Sequence, residues 1–397
     1  MGGHGRSRRL AGELEPTGAA GDTRAAVFTE ILTAGPTSRT ELARRLGLSQ
    51  STITRAVTPL LQTGYLAEAG ARSSGGGRPQ RILTVARDRY FVVGVRLAPH
   101  TVTAVLTDLE ATVVARSALP VPAGAAPEDV LALAAQAVHF LRAADCRSGE
   151  RLLGVGVGLS GHVDAASGRC VRSGTMGWSE VDVAGPLTRT LGLPVVVDND
   201  ANGLLVGERW FGAGRACDVI ALVTIGAGIG CGLMLGGGLF TGACGLAGEL
   251  GHVPIEPGGP RCSCGSRGCL EAVASDEAVL AAISRASGVP CATMDEARAR
   301  ARGGEAAALE AFADMGAALG RALATVCNLV NPELVILSGE SVHTYEFFGP
   351  ACREAFQAHA FSTAASSCTL VTHPADDEVW ARGAACLAIR EAVHALP

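Results

Sequence analysis

His252 is followed ten residues later by Cys262-Ser263-Cys264-Gly265-Ser266-Arg267-Gly268-Cys269. One imidazole and three thiolates make a closed set of four donors, the composition of a structural Zn²⁺ site. Gly265 and Gly268 let the short loop fold back, so that thiolates two and five residues apart converge on one ion. Reduced cysteines packed as small apolar groups are the alternative, and they would not need that turn chemistry. The other ten cysteines lack ligand spacing and read as such fillers.

Three further stretches carry polar chemistry. Val197-Asp198-Asn199-Asp200-Ala201-Asn202 stands at the carboxyl end of the apolar run 195–197, where α/β sheets place ligand-binding groups. An Asp there accepts a proton from a hydroxyl and the Asn orients that hydroxyl. A turn with a helix cap explains the same letters equally well. In Gly242-Ala243-Cys244-Gly245-Leu246-Ala247-Gly248-Glu249-Leu250-Gly251-His252 a Glu precedes the His by three residues, and Glu271 follows Cys269 by two. Two carboxylates beside one imidazole suit a sugar site, which sorts hydroxyls by direction; solvated surface acids are the other reading. The glycine-rich residues 224–232 offer amides to a phosphate or simply turn the chain between strands.

The elements that must position these groups are legible as patterns. Apolar strand-like runs occur at 91–95, 102–106, 153–159, 195–197, 219–224 and 334–337, and helical stretches at 127–143, 185–191, 276–286 and 305–329. Such alternation describes an α/β body of two lobes. No repeat with a period of about 20–50 residues is visible.

Residues 23–85 read differently. One helix is expected near 25–33, with Val27, Ile31 and Leu32 inward. A second begins after Ser38, where Ser38-Arg39-Thr40-Glu41 forms a capping box in which Glu41 reaches back, and stops at Gly47. Ser49 caps a third, with Ile53, Val57, Leu60 and Leu61 inward and a kink or early end at Pro59. A Gly-rich turn, residues 72–79, and the strand-like 82–85 complete the outline of a winged helix-turn-helix. The short polar side chains Gln50, Ser51, Thr52 and Arg55 reach base edges from a helix in the major groove, and Arg78 and Arg81 reach phosphates or a minor groove from the wing. A small helical dimerisation module is the plainer alternative.

The chain has 397 residues, 48% hydrophobic and 18% charged, enough for two or three domains each with a core. Residues 1–86 hold 11 arginines against 6 acidic residues, whereas 87–397 hold 22 against 32. A basic head on an acidic body suits a head that meets a polyanion. No apolar run approaches the roughly 18–20 residues of a membrane span, and no apolar stretch follows the Arg-rich start as in a secretory signal. With 13 cysteines in a chain read as cytoplasmic, metal binding is favoured over disulfides.

These pieces, in this order, resemble the ROK family of sugar kinases and sugar-responsive repressors over roughly residues 90–395, with a winged helix in front as in the regulator branch. The resemblance implies an α/β protein: an N-terminal winged helix-turn-helix plus a two-lobed actin-like, ribonuclease-H-like sugar kinase body with a structural zinc loop. It implies that Asn199, Asp200, Glu249, His252 and Glu271 bind the sugar, that Asp200 matches the kinase base, and that His252, Cys262, Cys264 and Cys269 hold Zn²⁺. The expected division is a disordered lead at 1–22, the DNA-binding domain at 23–86 and the body at 87–397. Within the body, lobe one spans about 87–200 plus a C-terminal helix at 380–397, and lobe two about 201–379.

Departures from the family pattern choose between its branches. Where the kinases place an Asp, two Gly and a Thr to cradle ATP, this chain has Arg96-Leu97-Ala98-Pro99-His100; Pro99 has no amide to donate. Ala227 replaces the usual Thr of the second phosphate loop, and Thr175 stands where sugar binders often carry Asn. The expectation is a non-catalytic regulator, most simply a repressor, that binds a double-stranded DNA operator as a homodimer or homotetramer, responds to a monosaccharide and takes no ATP. An active sugar kinase with a DNA-binding head, and a docking protein read by a transporter component, are the alternatives.

Overall fold

The computed structural model describes residues 19–72, 79–144 and 151–395. Contacts divide the chain into two units: residues up to Ala86 together with those from Glu391 on, and Arg87–Arg390.

In the first unit, α1 (Ala19–Ala34) precedes α2 (Arg39–Leu46) and α3 (Gln50–Thr63). Val27, Phe28, Ile31, Leu42, Ile53, Val57 and Leu60 are all buried, so three amphipathic faces share one core. A three-stranded antiparallel sheet, β1 (Thr37–Ser38), β2 (Leu66–Arg72) and β3 (Gln80–Val85), has the order β1-β3-β2. Helix α1 starts six residues earlier than the apolar pattern indicates. Of the expected lead, residues 1–18 lie outside the described residues and 19–22 open this helix.

The caps are as the letters imply. Ser38 accepts the Glu41 amide, Ser49 accepts the Thr52 amide, and Gly47 and Gly64 close their helices in the left-handed region. The capping box is not completed, and of the kink or early end expected at Pro59 the early end does not occur. Glu41 does not complete a capping box but takes Arg44 (2.9 Å) and Arg45 (2.7 Å), while Ser38 pairs with Ile82 in the sheet. Helix α3 also runs through Pro59 to Thr63. Val57 and Leu60 bury the same face on both sides of the proline, and that burial outweighs one lost backbone bond.

The second unit opens with β4 (Phe91–Leu97), β5 (Thr101–Asp108) and β6 (Val113–Pro120), a meander followed by α4 (Pro127–Ala144) and β7 (Leu152–Leu159). A small antiparallel sheet, β8 (His162–Asp164), β9 (Arg169–Ser173) and β10 (Trp178–Asp182), leads to α5 (Ala184–Leu191), β11 (Val195–Asn199) and α6 (Asp200–Phe211). The second lobe repeats the plan with β12 (Ile220–Ile225), β13 (Ile229–Leu235) and β14 (Gly238–Leu239). Then come α7 (Leu270–Ala274), α8 (Asp276–Ser287), α9 (Met294–Arg302), α10 (Ala306–Val330), β15 (Leu334–Gly339), α11 (Tyr345–His359), α12 (Ala364–Ser367), β16 (Thr369–Pro374) and α13 (Asp377–His394).

The sheet orders are β6-β5-β4-β7-β11 and β14-β13-β12-β15-β16. Each is therefore a three-strand antiparallel meander whose first strand pairs in parallel with a fourth strand, which in turn pairs in parallel with a fifth. This duplication leaves no letter-level repeat, because the chain inserted between equivalent strands differs in each lobe.

Helix α13 lies against the first sheet at backbone distance. Gly94 and Gly156 face each other across β4 and β7, and a Cβ on either would stand 1.9 Å from a carbonyl oxygen of α13, Ala381 or Ala384. Alanines 381, 384, 385 and 388 complete the contact, all buried. Among the described residues no helix is long and apolar enough to cross a membrane. Gly156→Ala is expected to lower the unfolding free energy by about 3 kcal/mol through overpacking. Urea denaturation checks this; an unchanged midpoint would mean that α13 does not approach the sheet so closely.

Candidate functional site

The ligand atoms of His252, Cys262, Cys264 and Cys269 all lie within 4.8 Å of one another. Sγ of Cys264 and Cys269 are 3.7 Å apart, and Cys262 Sγ is 3.5 Å from His252 Nδ1. Tetrahedral donors about 2.3 Å from a zinc ion stand roughly 3.8 Å apart, so the spacing fits. The loop is held by its own backbone: Gly265 donates to Cys262, Cys262 to Ser266, and Cys269 bridges Pro254 before starting α7. The Ser266 amide holds the Cys264 thiol down at about 7, whereas burial pushes Cys269 up to about 12. A cation would let both ionise together.

His252 has two faces. Its Nδ1 points to the thiols and its Nε2 lies 3.9 Å from Glu249. The 242–252 loop is anchored to the first lobe, where the Cys244 carbonyl sits 2.9 Å from His162 Nε2. Beyond Cys269, Glu271 accepts the Ile229 amide and the Ser263 hydroxyl, each at 3.3 Å. Gly228 leaves the room for this: its added Cβ would stand 3.0 Å from Glu271 and 4.0 Å from Thr175. Thr175 bonds Ser160 at the end of β7, and the next carbonyl, Gly161, accepts the Asn199 amide group at 2.8 Å. One set of contacts ties Asn199 and Thr175 to the 160–161 turn, and a second ties Glu271 to the cysteine loop that carries His252. Ser160 was invisible in the sequence, because only the strand register brings it to Thr175.

Asn199 is also a cap. Its Oδ1 accepts the Ala201 amide (2.9 Å) at the start of α6, so the plainer reading of that stretch is realised. Buried Asp198 accepts from Asn202 and from the Asn199 amide, and Arg390 stands 3.8 Å away. Asp200, next along, is pushed up to about 6 by burial; Arg96 opposes the shift and Glu340 adds to it.

The turns after β4 and β12 are bonded within the chain itself. Residues 98–101 make the tight β4–β5 turn, with the Ala98 amide bonded to Thr101. Arg96 donates to Glu340 at 2.6 Å and to Asp377, and lies over the Trp380 ring at 4.9 Å. Residues 226–228 turn β12 into β13. The amides of Gly226, Ile229 and Gly230 go to Gly228, Glu271 and Thr224.

In the first unit Gln50, Ser51 and Arg55 are exposed at the amino end of α3, and Thr52 is half-buried. The hydroxyls of Ser51 and Thr52 each lie 2.8 Å from Ser49. Thr54, which the sequence pattern did not single out, joins the exposed face and bonds back to Gln50. Arg81 pairs with Glu68 across the hairpin and stays largely exposed. Arg78 lies outside the described residues.

A helix-turn-helix-like head and a two-lobed body with duplicated sheets define a two-part protein on a sugar-kinase scaffold. Residues 92–391 match the ROK family model, and residues 22–67 match that of the MarR family. The chain belongs to the ROK family. It is 28% identical over 345 residues to the xylose repressor of Bacillus subtilis, covering 87% of this chain and 89% of that protein. A ROK family transcriptional regulator, described as a homologue of the E. coli MLC protein, shares the fold with a TM-score of 0.80 at 24% identity, over 94% of this chain and 97% of that one. A ROK family glucokinase from Streptomyces griseus, solved with glucose and AMPPNP, gives a TM-score of 0.64 at 25% identity, over 75% of this chain and 98% of that one.

Replacing Cys264 by Ser removes one donor of four. The purified variant is expected to fall from about one zinc per chain to a small fraction of that after dialysis against a mild chelator. Plasma mass spectrometry reads the result, and full retention of metal would refute the ligand set.

Proposed function

We propose that this chain is a sugar-responsive DNA-binding repressor whose kinase-like body binds a monosaccharide without phosphorylating it. The observation that carries the reading is the partnering at the two phosphate-loop positions: Arg96 is held by two carboxylates, and the glycine-turn amides are bonded to the chain itself. Phosphoryl transfer depends on such groups being free to position and neutralise phosphates.

In this reading Asp200, Glu249, Glu271 and the Nε2 face of His252 bind the sugar hydroxyls, and Asn199 both caps α6 and orients the site. Zn²⁺ held by His252, Cys262, Cys264 and Cys269 supplies a rigid cross-link that fixes the loop and the tautomer of His252. Residues 23–86 serve as the DNA-binding domain and 87–397 as the sensor, with lobe one about 87–200 plus 380–397 and lobe two about 201–379. Gln50, Ser51, Thr52 and Arg55 contact bases, and Arg78 contacts the backbone or minor groove. A homodimer or homotetramer sets two such helices on half-sites about one helical turn apart, or a multiple of it. The protein works in the cytoplasm. Sugar binding shifts lobe closure and weakens operator affinity roughly 5- to 150-fold, a coupling of ~1–3 kcal/mol.

Two measurements check this. In gel-shift titrations with the DNA upstream of its own gene, the chain is expected to bind in a salt-sensitive, sequence-specific manner and to release on addition of one monosaccharide. Absence of specific binding under every salt and sugar condition would reject the reading, and ADP release abolished by Asp200→Asn would install the kinase instead. The second measurement follows Asp200. Above about 6 its carboxylate accepts a sugar hydroxyl; below, it is protonated and the acceptor is lost. Sugar affinity should fall by up to about tenfold per pH unit below that point. Fold stability runs the other way, since a raised carboxyl pKa means that the folded state binds the proton more tightly than the unfolded one. Asp200→Asn should flatten both profiles, as titration calorimetry and thermal melts would show.

A further inference from the structure

We propose that the small sheet of the first lobe is a clasp on the metal module: His162 and Arg172 hold its two segments by their carbonyls, so that filling the metal site and closing the clasp are one coupled event across the lobes. The inference rests on the zinc ligand set proposed above and adds to it a place outside the module where occupancy of the metal site is felt.

The strand register sets the stage. His162 on β8 and Arg172 on β9 are opposed in the antiparallel pair, and opposed residues project from the same face of a sheet. Nε2 of His162 lies 2.9 Å from the Cys244 carbonyl; a carbonyl only accepts, so this nitrogen carries the proton and donates. Arg172 donates to the Ser263 carbonyl at 3.1 Å. The backbones come close as well. A Cβ on Gly245 would stand 2.8 Å from the Val163 carbonyl oxygen of β8, and one on Gly174, just after β9, would stand 3.7 Å from Ser263 Oγ. Gly245 also has φ +75°, a conformation that favours glycine, so the 242–252 segment lies on β8 at backbone distance.

Cys244 and Ser263 belong to the two segments that supply the donors: 242–252 carries His252, and 262–269 carries the three cysteines. Four such donors within 4.8 Å of one another hold together when a cation balances the thiolates. The two segments then move as one piece, and the spacing between their carbonyls is fixed. Neighbouring donors on one strand pair satisfy both carbonyls only at that spacing, so the clasp closes best on the filled loop. By linkage, the closed clasp must favour the metal by the same factor. The effect reaches the candidate sugar residues of both lobes. Ser263, whose carbonyl takes Arg172, donates its hydroxyl to Glu271 at 3.3 Å, and Gly161, which precedes His162, accepts the Asn199 side chain at 2.8 Å.

The test is the zinc affinity of the full-length chain, read by competition with a chromophoric chelator, together with hydrogen exchange of peptides covering residues 161–174. Neither His162 nor Arg172 is a metal donor, yet the double variant His162→Ala, Arg172→Ala is expected to bind zinc roughly tenfold more weakly. Removing the metal from the native chain should in turn speed exchange at 161–174 by roughly tenfold. In the double variant that exchange is already fast, and metal removal adds little to it. Arg169→Ala, on the same strand but bonded within the small sheet to the Glu180 carbonyl, should keep the native zinc affinity. Native zinc affinity in the double variant, an equal loss in Arg169→Ala, or exchange at 161–174 that ignores the metal would overturn the proposal and leave the ligand set standing. A native chain that binds no zinc would overturn the ligand set and this inference with it. Where the metal-free chain unfolds as a whole, the zinc affinities of the two variants decide alone.

Discussion

Three parallel strands that end together are the constraint on which the site depends. The register of β4, β7 and β11 sets Leu97, Leu159 and Asn199 side by side, so that the chain leaves all three strands at one edge. A slip of one residue would turn Asn199 and Arg96 to the opposite face of the sheet. The register is held by α13, whose alanines meet Gly94 and Gly156 with no side chain between. The helix that packs on Gly94 and Gly156 also meets Arg96, two residues on along the same face, through Asp377 and Trp380.

From that edge the site is assembled by short links between distant segments. Gly161 holds Asn199, Ser160 holds Thr175, and the turn around Gly228 admits Glu271. The cysteine loop then meets His252, whose two nitrogens serve different neighbours. Each link is modest by itself, about 1 kcal/mol for a neutral hydrogen bond. Together they fix the directions in which the acceptors point. Arg96 belongs to a different system: its partners stand 244 and 281 residues away, and it couples both lobes to the last helix.

How much of this could be read beforehand depends on the range of the interaction. Caps at Ser38, Ser49, Gly47 and Gly64 are settled within a turn of helix, and the letters announce them. Pro59 misleads for the complementary reason: its local cost is real, yet burial of Val57 and Leu60 decides the outcome. Glu41 misleads too, since two arginines within one turn outcompete the backbone amide that a capping box would use. The cysteine spacing is a local signal strong enough to stand alone, because five residues of chain can bring two thiols together with few alternatives.

The sequence by itself determined the helix-turn-helix outline, the four-donor loop and the polar stretch at the end of β11. Tertiary structure alone decided the duplicated sheet plan, the meeting of Ser160 with Thr175, the double duty of Asn199 and the partners of Arg96. The physical reason is contact order. Groups near in sequence find one another through backbone geometry that residue type dictates. Groups hundreds of residues apart meet only after the whole core has packed, and no single letter records where that packing will bring them.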